Sequence, residues 1–429
     1  MAVSHDVANN GLTIGGVPLK IKLRRAERRR KFVAFGLTAP LLLFMMVTFV
    51  YPILAMLSHC IKSPELLEVW PTLAPALVEW DGASLPPPPE VLKAMVVDFD
   101  ATTRSRTIGK AAKRLNYHYG GFRSFVMKTG KRLMRAVDQE GLAAVRDDPA
   151  LFDRLVKIDK RWADRALWSK MRQASPYYTA FFLLRSVDRD YGVEGEIVGV
   201  PDELAVHVTV FWRTIWISAV VTILCLLLGY PIAFLLANTP TRQSNILILL
   251  LLLPFWTSLL VRTTAWLVLL QHQGVVNDAG ILLDFWDEPL TLVRNRLGTY
   301  IGMVHIMLPF MALPLFSVMK RIDPYHMKAA ASLGGKPVMS FIKVYLPQTK
   351  PGVGAGVLLV FIICLGFYLT PALIGGPADQ MLSYYVVFQA GSQLNWGLAS
   401  SLSLLLMSIV VVFLIIYHRT IGLSNSEFR

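Results

Sequence analysis

KAAASLGGKPVMSFIKVYLP, residues 328 to 347, is a run of small residues that turns on Gly334 and Gly335 and closes on Leu346 and Pro347. It is too polar and too broken to cross a membrane. Charge-free stretches that can do so lie on both sides, Leu297 to Met319 before it and one within Pro351 to Ala378 after it. A hydrocarbon core of roughly 30 Å takes about 20 apolar residues in a helix. Further windows of that length run from Phe32 to Leu57, Thr214 to Ala237, Gln243 to Val261 and Trp396 to Tyr417, which makes six spans. The segment is therefore a loop held in water by a chain that otherwise lies largely in lipid.

Bulk composition agrees. Of 429 residues, 54% are hydrophobic and 17% charged, with a mean hydropathy of +0.49, the profile of a polytopic membrane protein rather than a soluble enzyme. A net charge of +14 raises the possibility of nucleic-acid binding through released counterions. The placement of the charge argues against that, because lysine and arginine collect in segments that resist translocation. Lys20 to Lys31 carries eight basic residues against Glu27 alone. Between Lys320 and Lys350 stand Lys320, Arg321, Lys328, Lys336, Lys343 and Lys350, with His326, against Asp323 alone. The loop from Gln271 to Arg296 instead has Asp278, Asp284, Asp287 and Glu288 against Arg294 and Arg296. Six crossings then put both termini and the 320–350 loop in the cytoplasm. Phe32 to Leu57 is too long for a cleaved signal core and ends in LSHCIK, so it reads as a retained anchor.

This order predicts a basic arm over residues 1–31, a first span over 32–57, an extracytoplasmic insert over 58–213, a five-helix core over 214–419 and a cytoplasmic tail over 420–429. The insert opens on a proline-rich connector, LPPPPE at Leu85 to Glu90, which favours extended chain. Leu151, Leu155, Ile158 and Trp162 recur at helical spacing with charged residues between them, and Phe122 to Val137 suggests an earlier helix. No strand alternation persists, so the insert is expected to be helical. Its acidic and basic residues nearly balance.

The sequence offers no catalytic apparatus. A phosphate loop needs G-x-x-x-x-G-K-[ST], and Gly334-Gly335-Lys336 is followed by Pro337 with neither the spacing nor the hydroxyl. The eight histidines are scattered, without metal-ligand spacing, and His305 inside a span reads as a packing or pore-lining residue. Three cysteines, Cys60, Cys225 and Cys364, define no disulfide framework. Pro254, Pro309 and Pro314 interrupt spans, and broken backbone at membrane depth needs protein or a wet cavity to satisfy it. Arg262, at the end of a span, is either a path residue or an arginine snorkelling to the interface. Trp256 and Trp266 are either path residues or interface anchors.

The opening segment resembles the cytoplasmic loop of binding-protein-dependent ATP-binding-cassette importer permeases, whose pattern is E-A-A, three residues, Gly, nine residues, I-x-L-P. Ala329 and Ala330 match the alanines, Gly334 the glycine and Val344 to Pro347 the close, while Lys328 stands where the pattern has glutamate. Small residues let a short helix approach a groove, and a glycine there can supply a positive-φ turn. LLLGYPIAFLLA at Leu226 to Ala237, PFWTSLLVRTTAW at Pro254 to Trp266 and GFYLTPALIGGP at Gly366 to Pro377 are similar to the spermidine/putrescine subgroup. The likeness covers the first span and Phe211 onward, not the insert.

The resemblance implies an all-α fold of six transmembrane helices, the type I importer permease fold, in a bacterial inner membrane. It implies a subunit with no catalytic activity and no cofactor or metal of its own, coupled through Lys328, Ala329, Ala330, Gly334 and Pro347 to a cytoplasmic ATPase dimer that holds Mg-ATP. The other implied partners are a second permease subunit, an extracytoplasmic solute-binding protein, membrane lipid and a small solute. The solute path would draw on Trp256, Arg262, Trp266, His305, Tyr368 and Asp379. A polyamine would favour carboxylates along its path, yet the interiors of the later spans hold none, and Arg262 suits an anionic or zwitterionic cargo such as an opine-like compound or a phosphonate. A competing reading makes the chain a membrane sensor or scaffold whose insert binds a ligand, and it predicts no ATPase partner.

Overall fold

A computed structural model of the chain describes residues 13–14, 17–82 and 84–421, and the side chains of residues 27–82 and 84–419. Most of the expected basic arm and all of the expected tail lie outside the described side chains. The chain divides into two units, Met1–Ser58 and His59–Arg429.

The first unit holds most of a helical stretch, Glu27–Ile61, that is long and apolar enough to cross a membrane. Pro40 sits inside it without ending it. At Met46–Val50 the winding relaxes to a π-turn. The cause is Pro52, which cannot donate to the Thr48 carbonyl and crowds it. The side chains facing out of this helix, Phe32, Leu37 and Leu43 among them, are apolar and exposed, as lipid-facing residues would be.

In the second unit, His207–Asn238, Arg296–Met319 and Lys350–Leu365 pack together around Ile217, Val221, Cys225, Met303, Met307, Met311, Val360 and Cys364. Close approach depends on Gly356, where a Cβ would come within 2.6 Å of the Met311 sulfur. Apolar side chains gain little by leaving lipid, so such backbone proximity is what holds membrane helices together. Pro309 and Pro314 stay inside the continuous Arg296–Met319 helix.

Among the described residues four helices are long and apolar enough to cross a membrane, or six if each of two bent pairs counts as one span. The third expected span, Gln243 to Val261, is not straight. Thr241–Trp256 and Leu259–Leu269 meet at 95°. Pro254 removes a donor there, and Ser258 starts the second arm by accepting from the Val261 amide at 3.5 Å. The other pair, Pro337–Gln348 and Lys350–Leu365, bends by 61°. The second span starts earlier than Thr214, at His207, because Asp188 of the insert caps that helix by accepting from the amides of His207 and Val208 at 3.0 and 2.7 Å.

The insert is built from short helices around an aromatic core. Trp70 stacks on Phe99 at 4.9 Å between centroids, Phe125 lies 4.6 Å from Trp162, and Trp162 lies 4.9 Å from Trp168. The periodicity from Phe122 gives one helix, Phe122–Glu140. That from Leu151 does not continue to Trp162. The helix stops at Ile158, and Asp159, extended at φ −156°, accepts from the Arg161 amide to start a 3-10 turn that carries Trp162 inward. The Arg161 guanidinium on Asp159 holds its carboxyl well below the usual carboxylate range. A two-stranded hairpin, Arg189–Tyr191 with Ile197–Gly199, was not expected from the sequence. The insert seats on the core through Phe181 and Phe182, buried with Val210, Leu382, Leu398 and Leu402.

Candidate coupling segment and solute path

The small-residue run becomes a helix, Tyr325–Ser332, then a tight reversal, then Pro337–Ser340. The alanines form the helix because they cost nothing in side-chain entropy. Its end is a Schellman turn: the Gly335 amide donates to the Ala330 carbonyl and the Gly334 amide to the Ala331 carbonyl, both at 3.0 Å. Gly334 takes φ +81°, the left-handed conformation that a Cβ disfavours. Pro337 opens the following helix at its first position, where its missing N–H costs nothing.

The tip is exposed, with Tyr325 at 71%, Leu333 at 89% and Val338 at 71% of full exposure. Lys328 lies over the Tyr325 ring, 5.0 Å from its centroid. Beyond the tip the second arm turns inward. Phe341 and Tyr345 stack on each other, and Phe234 meets them edge-on at 5.7 and 5.4 Å. Tyr230 reaches Thr349 at 3.2 Å between hydroxyls, and Lys320 donates to the Ala237 carbonyl at 3.2 Å. Exposed Lys328, Ala329 and Gly334 thus share one tip with half-buried Ala330, while exposed Pro347 belongs to the second arm. The aromatic clamp was missed in the sequence, although Tyr230 and Phe234, like Phe341 and Tyr345, stand four residues apart on helical segments.

The expected path residues divide. Arg262 and Trp266 stand one turn apart on Leu259–Leu269, and the Trp266 ring meets His305 at 5.4 Å. Arg262 lies 5.6 Å from the Phe255 ring, which packs on Phe310, and its buried Nε has no hydrogen-bond partner. Thr263 and Thr370 bridge the neighbouring segments at 3.2 Å between hydroxyls. Trp256 points away from protein at 84% exposure, and Tyr368 is exposed at the start of a short helix. Asp379 is not brought to the Arg262 group. It is buried in the Gly376–Gln380 turn, where it accepts from the Gly376 amide at 3.1 Å and from Arg296 Nε at 3.0 Å. Its geometry is that of a cap joining that turn to the Arg296–Met319 helix.

Comparison with known proteins places the chain. No family model matches the sequence. The spermidine/putrescine transport system permease protein PotB of Haemophilus influenzae is 31% identical over 221 residues, 52% of this chain and 77% of the relative. PotB of Escherichia coli is 31% identical over 210 residues, 49% of this chain and 76% of the relative. The Escherichia coli inner membrane ABC transporter permease protein YdcU is 30% identical, covering 48% of this chain and 70% of its own length. Among solved structures, a bacterial alginate ABC transporter in complex with alginate pentasaccharide-bound periplasmic protein aligns over 50% of this chain and 81% of its own, with 15% identity and a TM-score of 0.39. The chain belongs to the family of ABC transporter permeases of the spermidine/putrescine type.

Proposed function

We propose that this chain is one transmembrane subunit of an ATP-driven importer in a bacterial inner membrane, that its spans line the path of a small solute, and that the 325–347 segment docks on a separate ATPase. The observation that carries the coupling role is the exposed, rigidly mounted tip. Tyr325, Leu333 and Val338 stand in solvent on a turn whose second arm is clamped to a membrane helix. Apolar residues displayed on a fixed mount suit a partner's groove. ATP-driven closure of two such partners would move two tips and rock the attached spans. The assembly would comprise an ATPase dimer holding Mg-ATP, a second permease subunit and an extracytoplasmic solute-binding protein, with both termini of this chain cytoplasmic.

Lys328 stands at the tip where the family pattern has an acid, so its partner should carry an acidic or neutral residue opposite. The test is co-purification of the ATPase with the wild-type chain and with Lys328→Glu. Loss of association in the variant fits the docking role. No ATPase with either chain favours the sensor reading, and equal association with both removes the charge argument alone.

The relatives' names support a polyamine-type cargo. A second reading rests on Arg262, whose buried Nε lacks a partner and whose charge suits an anionic or zwitterionic solute, opine-like or a phosphonate. Uptake of spermidine, an opine and a phosphonate by the reconstituted complex separates the two. Arg262→Ala should abolish uptake only of the solutes that carry an anionic group.

A further inference from the structure

Where the Ile108–Asn116 helix of the insert meets the start of the Trp396–Ile421 helix, a cavity of about 250 Å³ is lined by Glu65, Lys110, Lys113, Arg114, Tyr117 and Trp396, among others. Lys110, Lys113 and Arg114 stand at positions i, i+3 and i+4, which places them on one face of the helix. Lys110 is exposed, Lys113 half-buried and Arg114 only 2% exposed.

Arg114 is held but not satisfied. Its Nε donates to the Ser63 hydroxyl at 2.7 Å, and its guanidinium lies 4.8 Å from the Phe182 ring and 5.5 Å from Phe181. Both Nη atoms are buried without a hydrogen-bond partner. Glu65, the one acid on the cavity wall, is 3.9 Å from Nε, half in solvent, and already accepts from Ser63 at 3.1 Å. Tyr117 gives no compensation, because its hydroxyl donates to the Gln393 carbonyl at 3.2 Å. Burial lowers the Arg114 pKa to about 10, so the group is still a cation at neutral pH. A buried cation with open donors is costly unless something anionic meets it.

We propose that this cavity is an oxyanion site that takes a phosphate-type group between Lys110, Lys113 and Arg114. The guanidinium's planar fork matches two oxygens of such a group, and the two ammonium groups supply further charge from the open side. The site is independent of the transport reading, and its occupant would tie the insert to the last membrane helix. Phosphate chemistry reaches such a place from two sources, free inorganic phosphate or the headgroup of an anionic phospholipid. Trp396, 59% exposed at the end of a membrane helix, has the position of an interface residue and puts lipid within reach.

The experiment uses the full chain, delipidated in detergent with any co-purifying subunits. One arm titrates sodium phosphate against chloride at constant ionic strength by calorimetry. The other measures retention of short-chain phosphatidylglycerol by native mass spectrometry. Each is repeated with the Lys110→Gln/Lys113→Gln double variant, whose altered side chains are not core residues, and with Arg114→Met. Phosphate binding by a co-purifying ATPase is common to all samples, so the difference between wild type and variant is read. The expected result is binding in at least one arm, weakened tenfold or more in the double variant; the responding arm identifies the source. Binding equal in wild type and double variant, or no binding in either arm, overturns the proposal. If Arg114→Met does not assemble, the double variant still decides.

Discussion

Phe234, on the second membrane span, meets Tyr345, on the inner arm of the coupling segment, edge-on with ring centroids 5.4 Å apart. This contact joins a buried part of the segment to a helix that packs against the rest of the core. Edge-to-face pairs of this kind contribute about 0.5 to 1.5 kcal/mol beyond the area they bury. Force applied at the exposed tip would reach the spans through it.

Tyr345→Ala should therefore uncouple the two ends. Tyr345 is 6% exposed, and deleting a buried aromatic side chain costs roughly 3 to 5 kcal/mol where the site cannot collapse. The expected outcome is an ATPase that still associates and hydrolyses ATP while solute uptake per ATP falls at least tenfold. Tyr345→Phe should keep most of the uptake. Equal uptake per ATP in wild type and Tyr345→Ala would remove the clamp from the coupling route.

Gly334 gives a second test of the same route. Its φ of +81° costs a residue with a Cβ roughly 1 to 2 kcal/mol, and a β-branched residue more. No atom lies within 4 Å of the place where that Cβ would sit, so the penalty is conformational and not a clash. Gly334→Val should reduce transport with the spans still inserted, whereas Gly334→Asn, which tolerates this conformation, should be close to wild type. Identical losses for both would mean that a partner's surface, and not the turn, rejects the side chain.

These elements differ in how readily the sequence disclosed them. Spans and turn were legible because each depends on local chemistry: uninterrupted apolar length for the spans, and alanines followed by two glycines for the turn. Proline was ambiguous. Pro254 accompanies a 95° bend, while Pro309 and Pro314 lie in an unbroken helix whose neighbours Met307, Met311 and Leu315 are buried by packing. The difference is made by Ser258, which can cap a new helix, and by surrounding helices that hold the other one straight. Asp159 ended a helix that periodicity carried through, because its carboxylate competes for the Arg161 amide. The Asp379 cap on Gly376 is local, but its ion pair with Arg296 reaches 83 residues away, and no local pattern announces such a pair.

An extracytoplasmic insert is a prediction that rests on the basic-residue pattern alone. Ser105 and Ser124 are exposed on the insert, so Ser105→Cys and Ser124→Cys should react with a membrane-impermeant maleimide in intact spheroplasts. Reaction only after permeabilisation would place the insert in the cytoplasm and invert the whole topology.

His118 predicts a pH dependence for the insert. Burial, with Arg114, Lys170 and Arg185 nearby, pushes its pKa well below the ordinary histidine value, and neither ring nitrogen has a hydrogen-bond partner. The ring instead stacks on Phe181, centroids 3.6 Å apart. Folded protein keeps the imidazole neutral while unfolded chain takes up a proton below about pH 6.5. The stabilisation is thus complete above that value and is lost as pH falls, at about 1.4 kcal/mol per pH unit, until the folded pKa is reached. Thermal unfolding of the complex between pH 7.5 and 5 should show this slope, and His118→Phe should flatten it. An unchanged slope in the variant would assign the effect to other groups.

The insert itself is the last case, because a tolerated loop and a working part of the core predict opposite results. Phe181 and Phe182 are each 2% exposed and share one cluster with Val210, Leu382, Leu398 and Leu402 of the core. Asp188 caps the second span from the same region. Deleting residues 85–192 removes both phenylalanines and the cap, which would leave an apolar socket and two amides without their partner. Each large side chain taken out of such a cluster costs roughly 3 to 5 kcal/mol, and loss of a cap about 1 more. The deletion should therefore fail to yield assembled complex, and Phe182→Ala alone should lower its unfolding temperature by several degrees. Full assembly and uptake by the deleted chain would make the insert a passenger. Assembly without uptake would instead support a role in capping the path or receiving the solute-binding protein.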